Sequence, residues 1–504
     1  MVQNVKNWEI EMKSKDDKTK NAAGFNLRKV AKKLRCADEN PKVILNQLKE
    51  KISKFNRGLI NMEIRKKNSI LATRFGHKPS MKTLNFLKSS KRKQKSELDN
   101  RKARTFYSNL AKKISDNQRK KTIKVDEFIE ENMKHRTNVK NIVDFNIIKE
   151  AFDDTIKFTA PWKAPGPDCI SGYAWKHFDC LKEKLFNWIL SIIKGEEMIM
   201  NTDCTGITYL LFKKGDKKDP ANYRPITCLG VYYKILTACI SKYLLNFFKM
   251  NPEINELIFP SNQIAGRKNV RSTNYAHLID KAIQLDKKYS IQKKGDKLNL
   301  YMGYVDFKKA YDSVHKDIIL KILESSGIDK NISLILKQIM DKWRTTISLN
   351  DKILKPYTIG RGVLQGDSMS PLLFIFSISP ISWFLNKEKK VCLKRNQLMY
   401  SQKPINHLFY MDDLKFYTDD SKELKKFFNI TKNIAKEIGL SMNTNKSAKI
   451  ENNDKELDLN ELNELQSDVE RNEFIPEVFD TYTYLGIDQK KLDNSKISLK
   501  RISD

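Results

Sequence analysis

The chain has 504 residues, of which 40% are hydrophobic, enough to bury a large core in about two to four structural units. Its formal net charge of +33 favours a polyanionic partner, although a lysine-rich genome would give the same excess. The N-terminal residues have no apolar segment and do not predict a secretory signal. The seven scattered cysteines form no CxxC pair, which disfavours a zinc site.

Residues 1–150 are lysine-rich, favour helix and contain very little proline. Within them, residues 88–121 carry 13 basic and 3 acidic side chains, and Phe106, Tyr107 and Leu110 recur at helical spacing. The spacing predicts a basic helix with one apolar stripe. Such a helix either lies on nucleic acid or is simply a solvated charged helix, and the sequence leaves both open.

The texture changes at residues 160–178, where a Pro/Gly turn cluster precedes a predicted helix. From there to about residue 450, short β-branched strands alternate with helices, which predicts an α+β fold. The most apolar stretch, residues 371–385, is too short to span a membrane and contains Pro380. Residues 451–475 are acidic and predict a surface insertion.

A lone carboxylate stands near the end of a predicted buried strand at residues 298–307. The strand carries Asp306 near its end, and a helix is predicted to begin near Asp317 and end at Gly327. Burying a carboxylate costs free energy unless a cation or hydrogen-bond donors compensate it. Asp306 is therefore a candidate metal ligand, the alternative being a cap of the following turn.

Two adjacent acids lie in a predicted hairpin further along the chain. Apolar runs at residues 407–410 and 414–418 flank Met411, Asp412 and Asp413. Adjacent ionised carboxylates repel each other, and a divalent cation would relieve that repulsion. Together with Asp306 they predict an oxygen-rich site for Mg²⁺, where two ions would serve a phosphoryl-transfer reaction.

These two segments resemble the catalytic segments of reverse transcriptases, and the order of the other segments makes the resemblance specific to the enzymes of non-LTR (LINE-type) retrotransposons. The matching stretches cover roughly residues 160–490 in the order typical of that family. They are APGPDCI (164–170), the KKGDKKDPANYRPIT block within 210–236, FPSNQIAGRKNVRST (259–273), YVDFKKAYDSV (304–314), GVLQGDSMSPLLF (362–374), FYMDD (409–413), IGLSMNTNKSAKI (438–450) and TYTYLGI (481–487).

The resemblance implies an RNA-directed DNA polymerase with a right-hand polymerase fold. Its expected domains are a basic helical N-terminal extension (1–150), fingers and upstream motifs (151–300), the palm with the catalytic carboxylates (301–450), and an acidic insertion, primer-grip hairpin and start of a thumb (451–504). Little sequence follows Ile487, so the resemblance also predicts a fragment that lacks thumb and endonuclease.

Site residues follow from the resemblance position by position. It implies that Asp306 and Asp412 bind two Mg²⁺ ions, with Mn²⁺ as an alternative, and that Asp413 assists as an auxiliary ligand. Phe307 would offer its backbone carbonyl to a metal ion. Lys446 would protonate the leaving pyrophosphate, with Lys449 as a neighbouring candidate.

The same resemblance implies a nucleotide site. Lys214 or, equally, Lys213 would hold the phosphates of the incoming nucleotide together with Arg224. Tyr311 would exclude the ribose 2′-hydroxyl as a steric gate, the alternative being a core tyrosine. The pair at 365–366, Gln365 and Gly366, would contact the nascent base pair and the template strand.

The implied partners are an RNA template, a DNA primer or target DNA and dNTPs, with no membrane, and retroelement biology implies action inside the cell, in the nucleus. Two alternatives remain open. One is a group II intron-type reverse transcriptase, and the other is a catalytically impaired remnant that only binds RNA.

Overall fold

The computed structural model describes residues 96–114, 121–136, 143–266, 273–294, 300–390, 405–452 and 481–490. The chain divides into two units at Lys95 and Ser96, and all the described residues belong to the second. The first unit, residues 115–120 of the basic 88–121 segment and residues 453–475 of the acidic segment lie outside the described residues.

Helices and strands are interleaved along the described chain, which confirms the predicted α+β class. The helices are α1 (Asn100–Leu110), α2 (Ile123–Lys134), α3 (Phe145–Phe158), α4 (Gly172–His177), α5 (Asp179–Lys194), α6 (Val231–Met250), α7 (Pro252–Ile258), α8 (Thr273–Lys294), α9 (Ala310–Ser313), α10 (Lys316–Ser325), α11 (Lys330–Lys342), α12 (Ser370–Asn386) and α13 (Ser421–Glu437). The strands are β1 (Thr205–Phe212), β2 (Tyr223–Cys228), β3 (Leu300–Val305), β4 (Arg344–Leu349), β5 (Lys352–Ile353), β6 (Tyr357–Thr358), β7 (His407–Tyr410), β8 (Asp413–Thr418), β9 (Ala448–Asn452), β10 (Thr481–Tyr484) and β11 (Ile487–Lys490).

An antiparallel sheet in the order β7-β8-β3-β9 carries the predicted catalytic segments. Every residue of β3 is buried, as its apolar composition predicts, and Val305 lies opposite Leu414 of β8. Helix α10 begins at Lys316, and Gly327 follows its end with φ +76°, as predicted for a helix-terminating glycine. The hairpin of β7 and β8 also has the predicted bounds to within one residue.

A second sheet, in the order β2-β1-β4-β5 with β6 also on β4, stands beside the first. Strands β1 and β2 form an antiparallel hairpin in which Leu211 lies opposite Arg224. Strand β4 runs parallel to β1, and it is joined to β3 by helices α9, α10 and α11. We call β1, β2 and the loop between them the 205–228 hairpin.

The most apolar stretch of the sequence forms α12, which lies in the main hydrophobic core. Pro380 inside the helix cannot donate a backbone hydrogen bond to the carbonyl of Phe376. The Ser379 hydroxyl donates to that carbonyl at 2.8 Å instead. Among the described residues, no helix is both long and apolar enough to cross a membrane.

Helix α1 lies in the basic 88–121 segment, for which the sequence leaves open a helix on nucleic acid or a solvated helix. Tyr107 is buried, and Phe106 and Leu110 pack beside it against Tyr223 and the second sheet. The carbonyl of Ala111, just after the helix, accepts hydrogen bonds from the backbone of residues 360 and 361. The apolar stripe therefore packs inside the protein, and only the charged side of this helix remains available for other contacts.

A buried ion pair joins β8 to α8. Lys415 Nζ lies 2.5 Å from Asp280 Oδ1 with both side chains fully buried, and the Tyr417 hydroxyl donates to the same carboxylate oxygen at 2.9 Å. The ammonium also lies over the rings of Tyr304 and, in the β10–β11 hairpin, Tyr484. Burial lowers the pKa of Lys415 to about 8. The ion pair thus fixes α8 and the β10–β11 hairpin to the sheet.

We expect Asp280→Leu to lower the free energy of unfolding by about 3–5 kcal/mol, because it leaves Lys415 buried without its carboxylate. Adding Lys415→Met should restore most of that loss, since a buried ion pair can usually be replaced by apolar side chains. Urea unfolding of both variants, with the exposed Lys281→Met as control, measures this. A double variant no more stable than Asp280→Leu would contradict the assigned role of the pair.

Candidate active site

The turn between β7 and β8 presents the two adjacent acids. Tyr410 pairs with Asp413, which leaves Met411 and Asp412 as the turn. Met411 has φ +56°, an uncommon conformation for a residue other than glycine. The backbone N–H of Met411 donates to Gln263 Oε1 at 3.3 Å, so the segment beside β7 helps to hold this turn in place.

Asp306 follows directly after β3 and is held by the 438–450 segment. Its Oδ2 accepts a hydrogen bond from Asn443 Nδ2 at 2.9 Å, and its carbonyl accepts from the Asn443 backbone N–H at 2.7 Å. Its own N–H donates to Ser447 Oγ at 3.2 Å. Sequence reasoning missed Asn443, because the only signal in the sequence is that it stands three residues before Lys446.

The antiparallel register brings the three carboxylates together. Since Val305 lies opposite Leu414, continuing the register by one residue places Asp306 opposite Asp413. Cross-strand neighbours lie close enough to interact strongly. The capping alternative for Asp306 is therefore not needed to explain this residue.

Burial and the neighbouring carboxylates raise the pKa values of both hairpin acids, Asp412 and Asp413. Burial, then the charges of Asp412 and Asp306, raise the pKa of Asp413 to about 7, although its side chain reaches solvent at the cavity wall. Burial and the charge of Asp306 also raise the pKa of Asp412, while Lys213 and Arg224 oppose that rise. The two sheets thus meet here, because the cations belong to the 205–228 hairpin.

One cavity of about 750 Å³ lies between the two sheets, and every predicted site residue lines it. These residues are Lys213, Lys214, Arg224, Asp306, Phe307, Tyr311, Gln365, Gly366, Asp412, Asp413 and Lys446. The structure thus brings them together in one cavity, while their roles remain predictions. Lys449 lies on β9 opposite Gly303 and is not among the lining residues.

The strand pattern separates Lys213 from Lys214. Leu211 lies opposite Arg224, and the Lys213 N–H donates to the Asn222 carbonyl, so Lys213 and Arg224 share one face of the hairpin. Burial and the neighbouring Arg224 lower the pKa of Lys213, and Asp312 and Asp412 oppose that effect. The geometry thus favours Lys213 over Lys214 as the lysine that faces the carboxylates.

The loop before α12 meets β2 so closely that only glycine fits. Gly366 has φ +124°, and a Cβ atom there would lie 2.3 Å from the Thr227 carbonyl oxygen. The Thr227 N–H donates to the Gln365 carbonyl at 2.7 Å. The close approach that the glycine permits is therefore to the chain itself, and it fixes Gln365 at the cavity wall. Buried Asp367 holds the other end by accepting from the Ser370 N–H at 3.1 Å.

Tyr311 lies half-buried at the cavity floor. Its ring stacks on Phe374 with centroids 4.6 Å apart and planes 11° apart, and its hydroxyl lies 3.7 Å from Met411 Sδ. The ring is thus both packed and cavity-lining, so the gate and core interpretations are compatible. Burial, followed by the charge of Asp412, raises its pKa.

Phe307 forms a bridge with Met442 in which the flanking residues make the hydrogen bonds. In that pattern the N–H and C=O of Phe307 point away from Met442, to the side where β8 begins. The orientation is the one expected if the carbonyl serves a metal ion beside Asp306 and Asp413.

Among the described residues, no group of three or more His, Cys, Asp or Glu side chains could hold a metal ion by itself. Mg²⁺ in phosphoryl-transfer sites is usually held by one or two carboxylates, water and the phosphates of the substrate. Asp306 and Asp412, whose charges repel each other, fit that pattern, because a divalent cation would relieve the repulsion.

Comparison with known proteins agrees with this arrangement. Residues 213–488, more than half of the chain, match the family described as reverse transcriptase (RNA-dependent DNA polymerase). The chain belongs to this family. Its membership implies a polymerase fold for the two sheets and the helices around them.

The relatives are retrotransposon proteins. The chain is 25% identical over 244 residues to a retrovirus-related Pol polyprotein from the type-1 retrotransposable element R2 of Popillia japonica, covering 48% of this chain and 31% of that protein. It is 25% identical over 238 residues to an R2 polyprotein of Nasonia vitripennis (45% and 21%), and 25% identical over 229 residues to an uncharacterized 149 kDa protein of transposon TX1 of Xenopus laevis (45% and 16%). These matches place it with non-LTR reverse transcriptases, and it spans less than a third of their length.

A further carboxylate, Asp312, faces the same cavity and was not predicted from the sequence. Burial raises its pKa to about 6, against the lowering effect of Lys309, Lys213 and Arg361. The folded protein therefore holds a proton at Asp312 more tightly than the unfolded chain does. Its contribution to the free energy of unfolding is largest below pH about 4, falls as pH rises to about 6, and is constant above that.

We expect Asp312→Asn to remove the decrease in the free energy of unfolding that Asp312 causes between pH about 4 and about 6. The stability of the variant relative to the wild type should grow between pH about 4 and about 6, by up to about 3 kcal/mol. Urea unfolding across this range measures it, with Asp341→Asn, an exposed acid of α11, as the matched control. A difference that does not change with pH would show that folding does not raise the pKa of Asp312.

Proposed function

We propose that this chain is an RNA-directed DNA polymerase that adds dNTPs to a DNA 3′-hydroxyl on an RNA template. The observation that carries the proposal is that Asp306, Asp412 and Asp413 meet in one cavity opposite Lys213 and Arg224. The carboxylates can bind divalent metal ions, and the basic side chains opposite them can bind phosphates. The family membership of residues 213–488 supports the same reaction.

Two Mg²⁺ ions, or Mn²⁺ in their place, would activate the 3′-hydroxyl and neutralise the charge that develops on the pyrophosphate. Asp306 and Asp412 would be their principal ligands, with Asp413 as an auxiliary one and the Phe307 carbonyl beside them. Asn443 would keep the Asp306 carboxylate in one orientation through its hydrogen bond to Oδ2. Such support of a ligand by neighbouring groups is usual in metal sites.

The nucleotide would bind between the 205–228 hairpin and the carboxylates. Arg224 would provide a planar pair of donors for phosphate oxygens, and Lys213 a point charge on the same face. Lys214 at the cavity edge would serve as a further phosphate contact. Gln365 and Gly366, fixed on β2, would lie against the nascent base pair.

Lys446 would supply the proton for the leaving pyrophosphate. It stands exposed at the cavity, and its carbonyl accepts a hydrogen bond from the Tyr482 hydroxyl at 3.1 Å. Tyr482 in turn stacks on Tyr304 with ring centroids 4.3 Å apart. The β10–β11 hairpin, which corresponds to the predicted primer grip, would thus hold the segment that carries the acid.

RNA as template and DNA as primer or target belong to the same proposal. The net charge of +33 favours binding to either polyanion. A retroelement enzyme that uses target DNA would act in the nucleus.

We expect Asp412→Asn to slow primer extension on an RNA template by roughly a thousandfold or more, because several kcal/mol of charge stabilisation is lost with the metal ions. RNA binding should change little, since distant phosphate contacts remain. Mg²⁺ should also raise the melting temperature of the wild type at pH 8 and not that of the variant, which reports the ions without the reaction.

Asp351→Asn, an exposed acid in the β4–β5 turn, is the matched control and should behave as the wild type. Extension by Asp412→Asn at the wild-type rate would remove this carboxylate from the reaction. A wild-type chain that binds RNA but extends no primer with Mg²⁺ or Mn²⁺ would contradict the polymerase and favour the RNA-binding remnant.

We expect Tyr311→Val to lower the preference for dNTPs over rNTPs by roughly tenfold or more. The substitution opens space at the cavity floor without touching a carboxylate. Tyr311→Phe keeps the ring that stacks on Phe374 and loses only the hydroxyl, so it should keep the preference. Single-nucleotide incorporation kinetics measure both, and an unchanged preference in Tyr311→Val would return the tyrosine to a core role.

A further inference from the structure

Lys309 connects the turn after Asp306 to the 205–228 hairpin. Its Nζ donates to the Ala221 carbonyl at 2.6 Å and lies 3.4 Å from the Tyr223 carbonyl. These carbonyls stand just before Arg224. One side chain from the catalytic sheet therefore holds the backbone of the hairpin that carries the candidate phosphate ligands.

The backbone of Lys309 indicates that this side chain matters. Lys309 has φ +47°, a left-handed conformation that glycine or asparagine adopts at less cost than lysine. A strained backbone persists only where surrounding contacts hold it. Here the Asp312 N–H and the Ser313 hydroxyl both donate to the Lys309 carbonyl, at 3.0 and 2.8 Å.

A second side chain, from α1, reaches the Tyr223 carbonyl and the neighbouring carbonyl of Pro220. The hydroxyl of Tyr107 on α1 lies 2.9 Å from the Pro220 carbonyl and 3.1 Å from the Tyr223 carbonyl. The Lys309 ammonium also lies 5.7 Å from the ring centroid of Phe106 on the same helix. The carbonyl of Tyr223 is therefore the shared point of a clamp that joins α1, the hairpin and the catalytic turn.

The charged groups around Lys309 favour a single position of its ammonium group. Burial lowers its pKa, Asp312 opposes that effect and Lys213 adds to it. A half-buried ammonium with a carbonyl at 2.6 Å and a carboxylate nearby has few alternative positions, because leaving them would leave the charge uncompensated.

We propose that Lys309 is a positioning residue that sets the 205–228 hairpin over the catalytic carboxylates, with Tyr107 of α1 as the second half of the clamp, so that the clamp determines affinity for the incoming dNTP. This deepens the proposed polymerase function and rests on it. The clamp acts through the placement of Lys213 and Arg224, and the N-terminal helix thereby contributes to the nucleotide site without lining it.

The first test needs no catalysis. In Lys309→Met, amide hydrogen exchange of residues 211–224 in the free protein should be roughly tenfold faster than in the wild type, because a hydrogen bond to a charged group is lost. Lys337→Met, an exposed lysine of α11, is the control and should leave this exchange unchanged. Unchanged exchange in Lys309→Met overturns the clamp whatever the activity of the chain.

The second test asks whether the clamp serves the nucleotide. Lys309→Met and Tyr107→Phe should each raise KM for dNTP by roughly tenfold while kcat falls less than threefold, since a hydrogen bond that orders the site is worth about that factor. Lys309→Arg should restore most of the affinity. Binding of dNTP to a complex with a primer that lacks the 3′-hydroxyl should weaken in the same proportion.

A double variant separates positioning from a direct phosphate contact. If both residues hold one clamp, Lys309→Met combined with Tyr107→Phe should raise KM by clearly less than the product of the single effects. An effect of Lys309→Met alone, with Tyr107→Phe like the wild type, would mean that Lys309 contacts the phosphates directly and would overturn the proposal. A wild type without any extension would contradict the proposed function, and the exchange measurement would still decide the clamp.

Discussion

The repulsion among three carboxylates is the constraint on which the rest of this structure depends. The antiparallel register of β3 and β8 sets Asp306 against Asp413, and the tight turn adds Asp412 beside them. Burial, followed by the charges of Asp412 and Asp306, raises the pKa of Asp413 to about 7. Under the proposed function, metal ions and nucleotide phosphates would form one electrostatic unit with these carboxylates and the cations of the second sheet.

The scaffold meets that constraint by fixing the second sheet at a set distance from the first. Gly366 brings the loop before α12 against Thr227, and Lys309 reaches from the catalytic turn to the carbonyls at the start of β2. Both contacts converge on the strand that carries Arg224. A hairpin held in this position places its cations opposite the carboxylates, where, under the proposed function, they would meet the phosphates of a nucleotide.

The N-terminal helix α1 changes the view of what the basic extension does. Its lysine and arginine content suggests a surface that binds nucleic acid, and its exposed side remains suited to that. Its apolar stripe, however, packs on the second sheet, and the Tyr107 hydroxyl is hydrogen-bonded to the backbone of the 205–228 hairpin. The helix therefore belongs to the folded core of the second unit, in line with the division of the chain at Lys95 and Ser96.

Much of the site could be predicted from the sequence, because its elements are encoded locally. The apolar runs of β3 and of the β7–β8 hairpin, with the acids beside them, predict the catalytic strands. The order of the family's segments predicts the remaining site residues, and all of them line the cavity. What depended on tertiary structure was each choice between near neighbours and each partner distant in the chain. Lys213 is favoured over Lys214 by the register of β1 on β2, Asn443 holds Asp306 from 137 residues away, and Asp312 and Lys309 acquire their importance only where the two sheets meet. Local sequence specifies strands and turns through side-chain alternation and turn chemistry, whereas burial and electrostatic partners arise from packing between segments that the sequence does not place side by side.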